Sequence, residues 1–390
     1  MKSSLSILLA TVLLFPACGN SHLPDYNYER SEITLKAIYD NYGVKGVNLF
    51  RETWPFNDQH EVTYLAQQTE SRNEYSYLWP FSGSLSALTA LYEAGENETF
   101  LKQLEDRILP GLEMYFDTKR SPGAYASYIN SAPASDRFYD DNIWLGIDFV
   151  DLYMLTKDKK YLAKAELIWK FIESGTDELL GGGVYWCEQK KESKNTCSNA
   201  PASVFALKLY EATKEPGYKE KGKALYDWTK NNLQDPEDYL YYDNIKLNGE
   251  IGRAKYAYNS GQMLQASALL YRITKDTQYL NEARRIAKSG YNQFFNGFQT
   301  EGRESFKLLK KGDVWFTAVM LRGFVELYTL DGNDEYINAF RKNLDYAWKY
   351  MREENGLFNS DWSGQTKDES KWLLTQFAMV EMYARLSVIK

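Results

Sequence analysis

Two aspartates stand side by side in the run Tyr139-Asp140-Asp141-Asn142-Ile143-Trp144. Apolar residues follow at helical spacing, namely Trp144, Ile147, Phe149, Leu152 and Tyr153, so the pair opens a helix. A carboxylate in that place can simply cap the first free N–H groups and complement the helix dipole. Two in succession allow more. Neighbouring side chains at a helix start can set their carboxyls about 5–6 Å apart, and retaining glycoside hydrolysis needs about 5–5.5 Å between nucleophile and acid/base. Like charges that close also split their pKa values, so one group stays protonated while the other ionises. Spacing alone leaves both readings open, cap and catalyst.

The elements that must hold the pair are legible as a repeat. Tyr92, Tyr153, Tyr210, Tyr271, Tyr328 and Tyr383 recur at steps of 61, 57, 61, 57 and 55 residues. The first five have a second aromatic eight positions later: Phe100, Tyr161, Tyr218, Tyr279 and Tyr336. Each unit reads as helix, turn, helix, with turns such as Lys275-Asp276-Thr277 and Leu330-Asp331-Gly332-Asn333. The first helix of each unit is apolar nearly all round and is therefore the buried one; the second carries more charge. Inner helices are expected to begin near residues 82, 141, 200, 259, 313 and 371, and outer ones near 97, 159, 217, 277 and 333. Residues 31–41 supply the sixth outer helix. A tetratricopeptide solenoid has a period of about 34 residues, which argues against it here. The expected fold is all-α, an (α/α)6 toroid of six hairpins with the N-terminal helix against the C-terminal one. Each marker tyrosine is expected to touch the aromatic eight positions on. The long segments 43–81, 118–140, 175–199, 234–258, 295–312 and 352–370 would gather at one end, where a site belongs.

Composition bounds the function. Net charge is −7 over 390 residues, which disfavours a nucleic-acid phosphate surface. The chain holds 31 Tyr, 19 Phe and 10 Trp, and aromatic rings on polar loops suit sugar rings. At the N-terminus, Lys2 and the apolar stretch Leu5 to Phe15 precede Leu14-Phe15-Pro16-Ala17-Cys18-Gly19. This resembles a bacterial lipoprotein signal, with Phe15 where Leu is usual and Cys18 as the lipidated residue. Residues 1–17 are then a signal peptide, 18–28 a tether and 29–390 one domain, anchored by lipid in a bacterial cell envelope, in the periplasm or at the surface. Cys187 and Cys197 share one loop segment and are either a disulfide or two free thiols. His22 and His60 are the only histidines, and no cysteine–histidine cluster has zinc spacing. No Walker or dinucleotide fingerprint is present, so neither metal nor cofactor is expected. A monomer is expected.

Several segments taken in order resemble glycoside hydrolase family 76, the endo-α-1,6-mannanases. Tyr139 to Trp144 resembles that family's catalytic signature. Tyr77-Leu78-Trp79-Pro80-Phe81-Ser82-Gly83 looks like its first inner-helix start, and Gly181-Gly182-Gly183-Val184-Tyr185-Trp186 resembles its Gly-Gly-x-x-Trp loop. Lys194-Asn195 and Ser198-Asn199-Ala200-Pro201-Ala202 resemble its Lys-Asn and Asn-Gly-Pro-Ala segments, with Ala200 for the usual Gly. Tyr258-Asn259-Ser260-Gly261 resembles Tyr-Asn-Gln-Gly, with Ser260 departing. The likeness spans nearly all of residues 70–386. It implies a retaining mechanism on an α-mannan chain, with Asp140 as nucleophile and Asp141 as acid/base. Trp79, Trp144, Trp186 and Tyr258 become candidate subsite walls, or core. Asp243 could hold sugar hydroxyls or make a turn. Asn195 and Asn199 could bind hydroxyls or cap the third inner helix, and Asn259 joins them as a candidate contact. Two other functions fit the same reading: an α-mannan transglycosylase or another glycosidase or lyase on this toroid, and a non-catalytic glycan-binding lipoprotein.

Overall fold

The structure, a computed structural model, describes residues 26–57, 61–63, 70–302 and 304–389. Its helices are α1 (Tyr26–Tyr42), α2 (Leu78–Gly95), α3 (Glu98–Gln103), α4 (Leu109–Glu113), α5 (Tyr139–Thr156), α6 (Lys159–Ser174) and α7 (Thr196–Thr213). They continue as α8 (Pro216–Leu233), α9 (Ala257–Thr274), α10 (Thr277–Phe294), α11 (Val314–Asp331), α12 (Glu335–Tyr350) and α13 (Leu373–Ser387). A π-helical turn, Leu104–Ile108, joins α3 and α4 into one rod. Among the described residues this makes twelve rods in two rings.

The inner ring is α2, α5, α7, α9, α11 and α13. Each packs on the next, α13 returns to α2, and α1 lies against α13. The ring is therefore closed, as the period of the repeat requires. Burial follows composition: α9 is buried without a break from Asn259 to Leu270, whereas α10 buries only one stripe, including Tyr279, Ala283, Ile286 and Ala287. That contrast between an all-round and a one-sided apolar helix is what separates inner from outer.

The marker tyrosines end the inner helices. The N–H groups of Glu96, Lys157, Lys214, Lys275 and Gly332, all in the left-handed region, donate to the carbonyls of Tyr92, Tyr153, Tyr210, Tyr271 and Tyr328 at 2.7–2.9 Å. Asn97, Asp158 and Asp276 then cap the outer helices. Two expectations about these aromatics are corrected. Counted from the first residue of each inner helix, the marker position in α13 is Ser387. Tyr383 stands one helical turn earlier on the same face, which is why the sequence confuses the two. Two of the later aromatics place their rings elsewhere: Tyr161 stacks on Phe149 and Tyr336 packs on Phe324, each one turn before the marker. Three marker rings lie under lysines: Tyr153 beneath Lys157, Tyr210 beneath Lys214 and Tyr271 beneath Lys275.

Residues 1–17, Cys18 and the tether to residue 25 lie outside the described residues. Helix α1 begins at Tyr26, so the last three residues of the expected tether are helical. No described helix is long and apolar enough to cross a membrane.

The long segments collect at the end where the inner helices begin. The fourth residue of an inner helix repeatedly clamps the loop before it. Asn142 accepts the N–H of Tyr125 and donates to its carbonyl, at 2.8 and 2.9 Å. Asn199 does the same with Val184, at 2.6 and 2.9 Å, and Gln376 with Phe358, at 2.7 and 2.9 Å. Ser260 accepts the N–H of Tyr241. These are buried backbone groups, and leaving one unpaired costs about 1–3 kcal/mol. A four-stranded antiparallel sheet (Tyr185–Cys187, Lys190–Asn195, Asn244–Lys246, Ile251–Gly252) ties the loops before α7 and α9 together.

Further down the ring the core is charged. Arg322 grips Glu381 with two hydrogen bonds of 2.6 and 2.9 Å, and Arg385 adds a third. Asp148, fully buried, accepts from Ser86 at 2.5 Å.

Candidate active site

The repeat builds the site. The second residue of five successive inner helices is Trp79, Asp140, Cys197, Tyr258 and Trp315, and all five line one cleft of about 730 Å³ at the loop end of the ring. Asp141 and Phe316, at the third position, line it too. The loops contribute Phe138, Trp186, Asn195, Asp243 and Asn244.

Phe138 precedes α5 and offers no capping side chain. Asp140 does that work in part: its Oδ1 accepts the N–H of Asp141 at 3.0 Å. Its Oδ2 accepts the indole N–H of Trp186 at 3.1 Å, and Cys197 lines the cleft with it. Burial pushes Asp140 up to about 6, while these donors favour its charged form. Asp141 is placed differently. Among the described residues none donates to its carboxyl. Burial first, and then the charge of Asp140, hold it well above the ordinary carboxylate range. One helical turn thus carries an acceptor poised to be ionised and a neighbour poised to keep its proton. The cap reading and the catalytic reading describe the same carboxylate, because an N–H to Asp140 stabilises both the helix start and the anion.

Aromatic rings wall the cleft. Tyr258 stacks on Phe316 with centroids 4.0 Å apart and planes 14° from parallel. Trp315 stands edge-on to Trp79 and Trp144, at 5.5 and 5.0 Å. Phe138 backs Trp186 at 4.9 Å. Behind Trp79 lies Trp372, whose indole N–H donates to Glu52 at 2.6 Å. Trp144 is 3% exposed, so it offers the cleft only an edge.

The other expected contacts divide. Asn195 faces the cleft and makes no capping bond; its Oδ1 accepts from Ser193 at 2.7 Å. Asp243 also faces the cleft and accepts from Asn244 at 2.8 Å. Burial raises its pKa, against the opposing amide of Asn244. Two expectations are corrected. Asn199 does not reach the cleft: it is fully buried and spent on clamping Val184, with a further bond to the Asn195 carbonyl at 2.8 Å. Asn259 is fully buried too and does not line the cleft, and its side-chain Nδ2 and Oδ1 have no hydrogen-bond partner among the described residues. The disulfide alternative falls as well, for Cys187 and Cys197 are both free and buried. Sequence reading passed over Cys197, Trp315, Phe316, Phe138 and Tyr256. The first two were findable, since they hold the same position in their repeat as Asp140.

The sequence model described as "Glycosyl hydrolase family 76" matches residues 48–388. Among solved structures, a family 76 glycoside hydrolase (mannosidase) from Bacteroides thetaiotaomicron is 34% identical, with a TM-score of 0.86 over 93% of this chain and 98% of that one. An inactive α-1,6-mannanase variant from Salegentibacter sp. HEL1_6 is 26% identical, with a TM-score of 0.74 over 93% of this chain and 100% of that one. Two adjacent aspartates are replaced by asparagine in that variant, which is in complex with α-1,6-mannotriose. A mannan endo-1,6-α-mannosidase of Candida albicans is 23% identical over 236 residues, covering 56% of this chain and 50% of that protein. The chain spans between about a quarter and half of the length of the curated relatives it matches.

Proposed function

Since the chain belongs to glycosyl hydrolase family 76, we propose that it is a retaining endo-α-1,6-mannanase in which Asp140 is the nucleophile and Asp141 the acid/base. The unequal hydrogen bonding of the pair carries this reading. Two donors, the Asp141 N–H and the Trp186 indole, converge on Asp140, and among the described residues none donates to Asp141. In the first step the Asp140 carboxylate attacks the anomeric carbon. Asp141 gives its proton to the glycosidic oxygen as that bond breaks. In the second step Asp141, now a carboxylate, takes a proton from water, and the resulting hydroxide displaces Asp140 from the mannosyl-enzyme. The negative charge that Asp140 loses in the first step is regained in the second, so its donors keep it ionised before attack and favour its departure afterwards. The rings of Trp79, Tyr258 and Phe316 offer flat faces to sugar C–H surfaces, and Asp243 and Asn195 offer polar atoms to hydroxyls. The paired-aspartate variant of the Salegentibacter enzyme, inactive and holding α-1,6-mannotriose, is consistent with both substrate and residues. The sequence at Cys18 adds a lipid anchor in the cell envelope to the proposal.

The test is direct. Purified protein is incubated with linear α-1,6-mannan, and reducing ends and product lengths are followed. A ladder of short α-1,6-mannooligosaccharides is expected from the start, with no release from α-1,2- or α-1,3-mannan. Binding without new reducing ends would make the chain a glycan-capturing protein. Products longer than the substrate would make it a transglycosylase.

A further inference from the structure

Lys194 lies on the strand Lys190–Asn195, between two residues that line the cleft, Ser193 and Asn195. Side chains alternate along a strand, so Lys194 faces the other way, where it is fully buried. Its ammonium meets an exposed loop from beneath. Nζ donates to Asp177 Oδ1 at 2.7 Å, to the Leu179 carbonyl at 2.7 Å and to the Gly182 carbonyl at 2.6 Å. These bonds use every donor that an ammonium has. The Asp177 carbonyl lies further off, at 3.5 Å.

The loop is bent to suit that cation. Leu180, Gly181, Gly182 and Gly183 are successive residues of positive φ, at 57°, 75°, 115° and 86°. For leucine the left-handed conformation costs about 1–2 kcal/mol, so its surroundings must hold it there. The carbonyls on either side, of Leu179 and Gly182, go to Lys194, and that of Leu180 accepts the Trp228 indole N–H at 2.9 Å. The same loop reaches the cleft through Tyr185. Tyr185 pairs with Lys194 across the two strands, and its ring centroid lies 4.8 Å from the ammonium. Its hydroxyl donates to Asp177 Oδ2 at 2.6 Å. Trp186, next along the strand, turns to the opposite face, lines the cleft and gives its indole N–H to Asp140 at 3.1 Å.

We propose that Lys194 is a positioning residue for the reaction: its ammonium organises residues 177–183 as a bound cation would, and through Tyr185 it sets the strand that aims Trp186 at Asp140. This rests on Asp140 being the nucleophile. Without the ammonium, two loop carbonyls and a carboxylate oxygen lose their donor, and the loop must move to find another. That movement reaches Trp186 through the Tyr185 hydroxyl, which is tied to Asp177. A small displacement suffices, because a hydrogen bond weakens steeply as its angle closes. Asn199 holds the backbone at Val184 and Lys194 holds the side chain at Tyr185, so Trp186 is placed by both.

The test observes Trp186 itself. Protein labelled with 5-fluorotryptophan is studied by 19F NMR, and the Trp186 signal is the one missing in Trp186→Phe. Lys194→Met keeps the length of the side chain without the ammonium. In it the Trp186 signal should shift, and kcat on α-1,6-mannan should fall by about tenfold, the loss expected for one hydrogen bond to a charged group. Tyr185→Phe removes only the hydroxyl link to Asp177 and should move the signal the same way by less. Because Lys194 acts through Trp186, Lys194→Met/Trp186→Phe should be no slower than Trp186→Phe alone. A lysine that only stabilised the fold would lower the folded fraction, and with it the rate, equally in both backgrounds. An unmoved Trp186 signal in Lys194→Met would overturn the proposal, as would full additivity of the two substitutions in kcat. Should Lys194→Met fail to fold, an unmoved signal in Tyr185→Phe overturns it alone. A moved Trp186 signal together with an active Asp140→Asn enzyme would keep the clamp and remove the nucleophile assignment.

Discussion

Trp186 gives its indole N–H to Asp140 at 3.1 Å, and the aspartate beside it receives no hydrogen bond from any described residue. The proposed division of roles between these two chemically identical side chains rests on that asymmetry. Asp140→Asn and Asp141→Asn should each fold normally, because an amide keeps the shape and, at Asp140, an acceptor for the helix N–H. Each should reduce kcat by at least a thousandfold, about 4 kcal/mol of transition-state stabilisation. Steady-state kinetics on α-1,6-mannan check this. A variant keeping a tenth of wild-type kcat would make the replaced residue a cap alone.

The rate profile against pH should be bell-shaped. Asp140 must be ionised, so activity rises as pH climbs through about 6. Asp141 must be protonated, and its pKa lies well above the ordinary range, so activity falls only at higher pH. The two limbs belong to the pair rather than to either group alone. Trp186→Phe removes one donor from the anion and should move the acidic limb upward while leaving the basic limb in place. A downward shift in kcat/KM profiles would contradict the assignment.

Much of this was legible beforehand. The period and the apolar character of the first helix of each unit sufficed for a closed double ring, and the adjacent carboxylates stood out against a chain with few other chemical groups. One illegible residue has a plain cause. Asn199 lies in a motif beside the site, but at the fourth helical position its side chain turns toward the preceding loop instead of the cleft. Sequence adjacency cannot see that rotation. The repeat can: Asn142, Asn199, Ser260 and Gln376 occupy one position and do one job. Tyr383 was misread for the converse reason, since a residue one turn away shares its face.

The clamps separate stability from activity. Asn199→Ala and Gln376→Ala each strip a loop of paired backbone bonds, and each should destabilise the fold by about 2–4 kcal/mol. Asn199 holds Val184, two residues before Trp186, whereas Gln376 holds Phe358, away from the cleft. Thermal unfolding should show similar losses for both. At a temperature where both are folded, only Asn199→Ala should lower kcat/KM, by about tenfold or more. Equal activities would show that the Val184 loop does not position Trp186.

The buried carboxyl of Asp148 should make the wild-type fold less stable as pH rises. Burial raises its pKa from 3.8 to about 7, ahead of the opposing charge of Arg322 and the Ser86 bond. A raised carboxyl pKa means its full contribution is present below pH 3.8 and is lost as pH climbs toward about 7. Asp148→Asn stays neutral throughout. Denaturant titrations should find it equal to wild type near pH 4 and more stable by on the order of 2–4 kcal/mol at pH 8. A variant less stable than wild type at pH 8 would mean that Asp148 is charged in the fold and paired with Arg322.

The anomeric configuration of the first sugar released tests the mechanism most directly. In the proposed mechanism the sugar passes through Asp140, and its configuration is inverted twice. Proton NMR of fresh digests of α-1,6-mannan should show the α-anomer of the new reducing end first, with the β-anomer growing in only as mutarotation proceeds. A β-anomer appearing first would mean a single displacement by water, and Asp140 could not be the nucleophile.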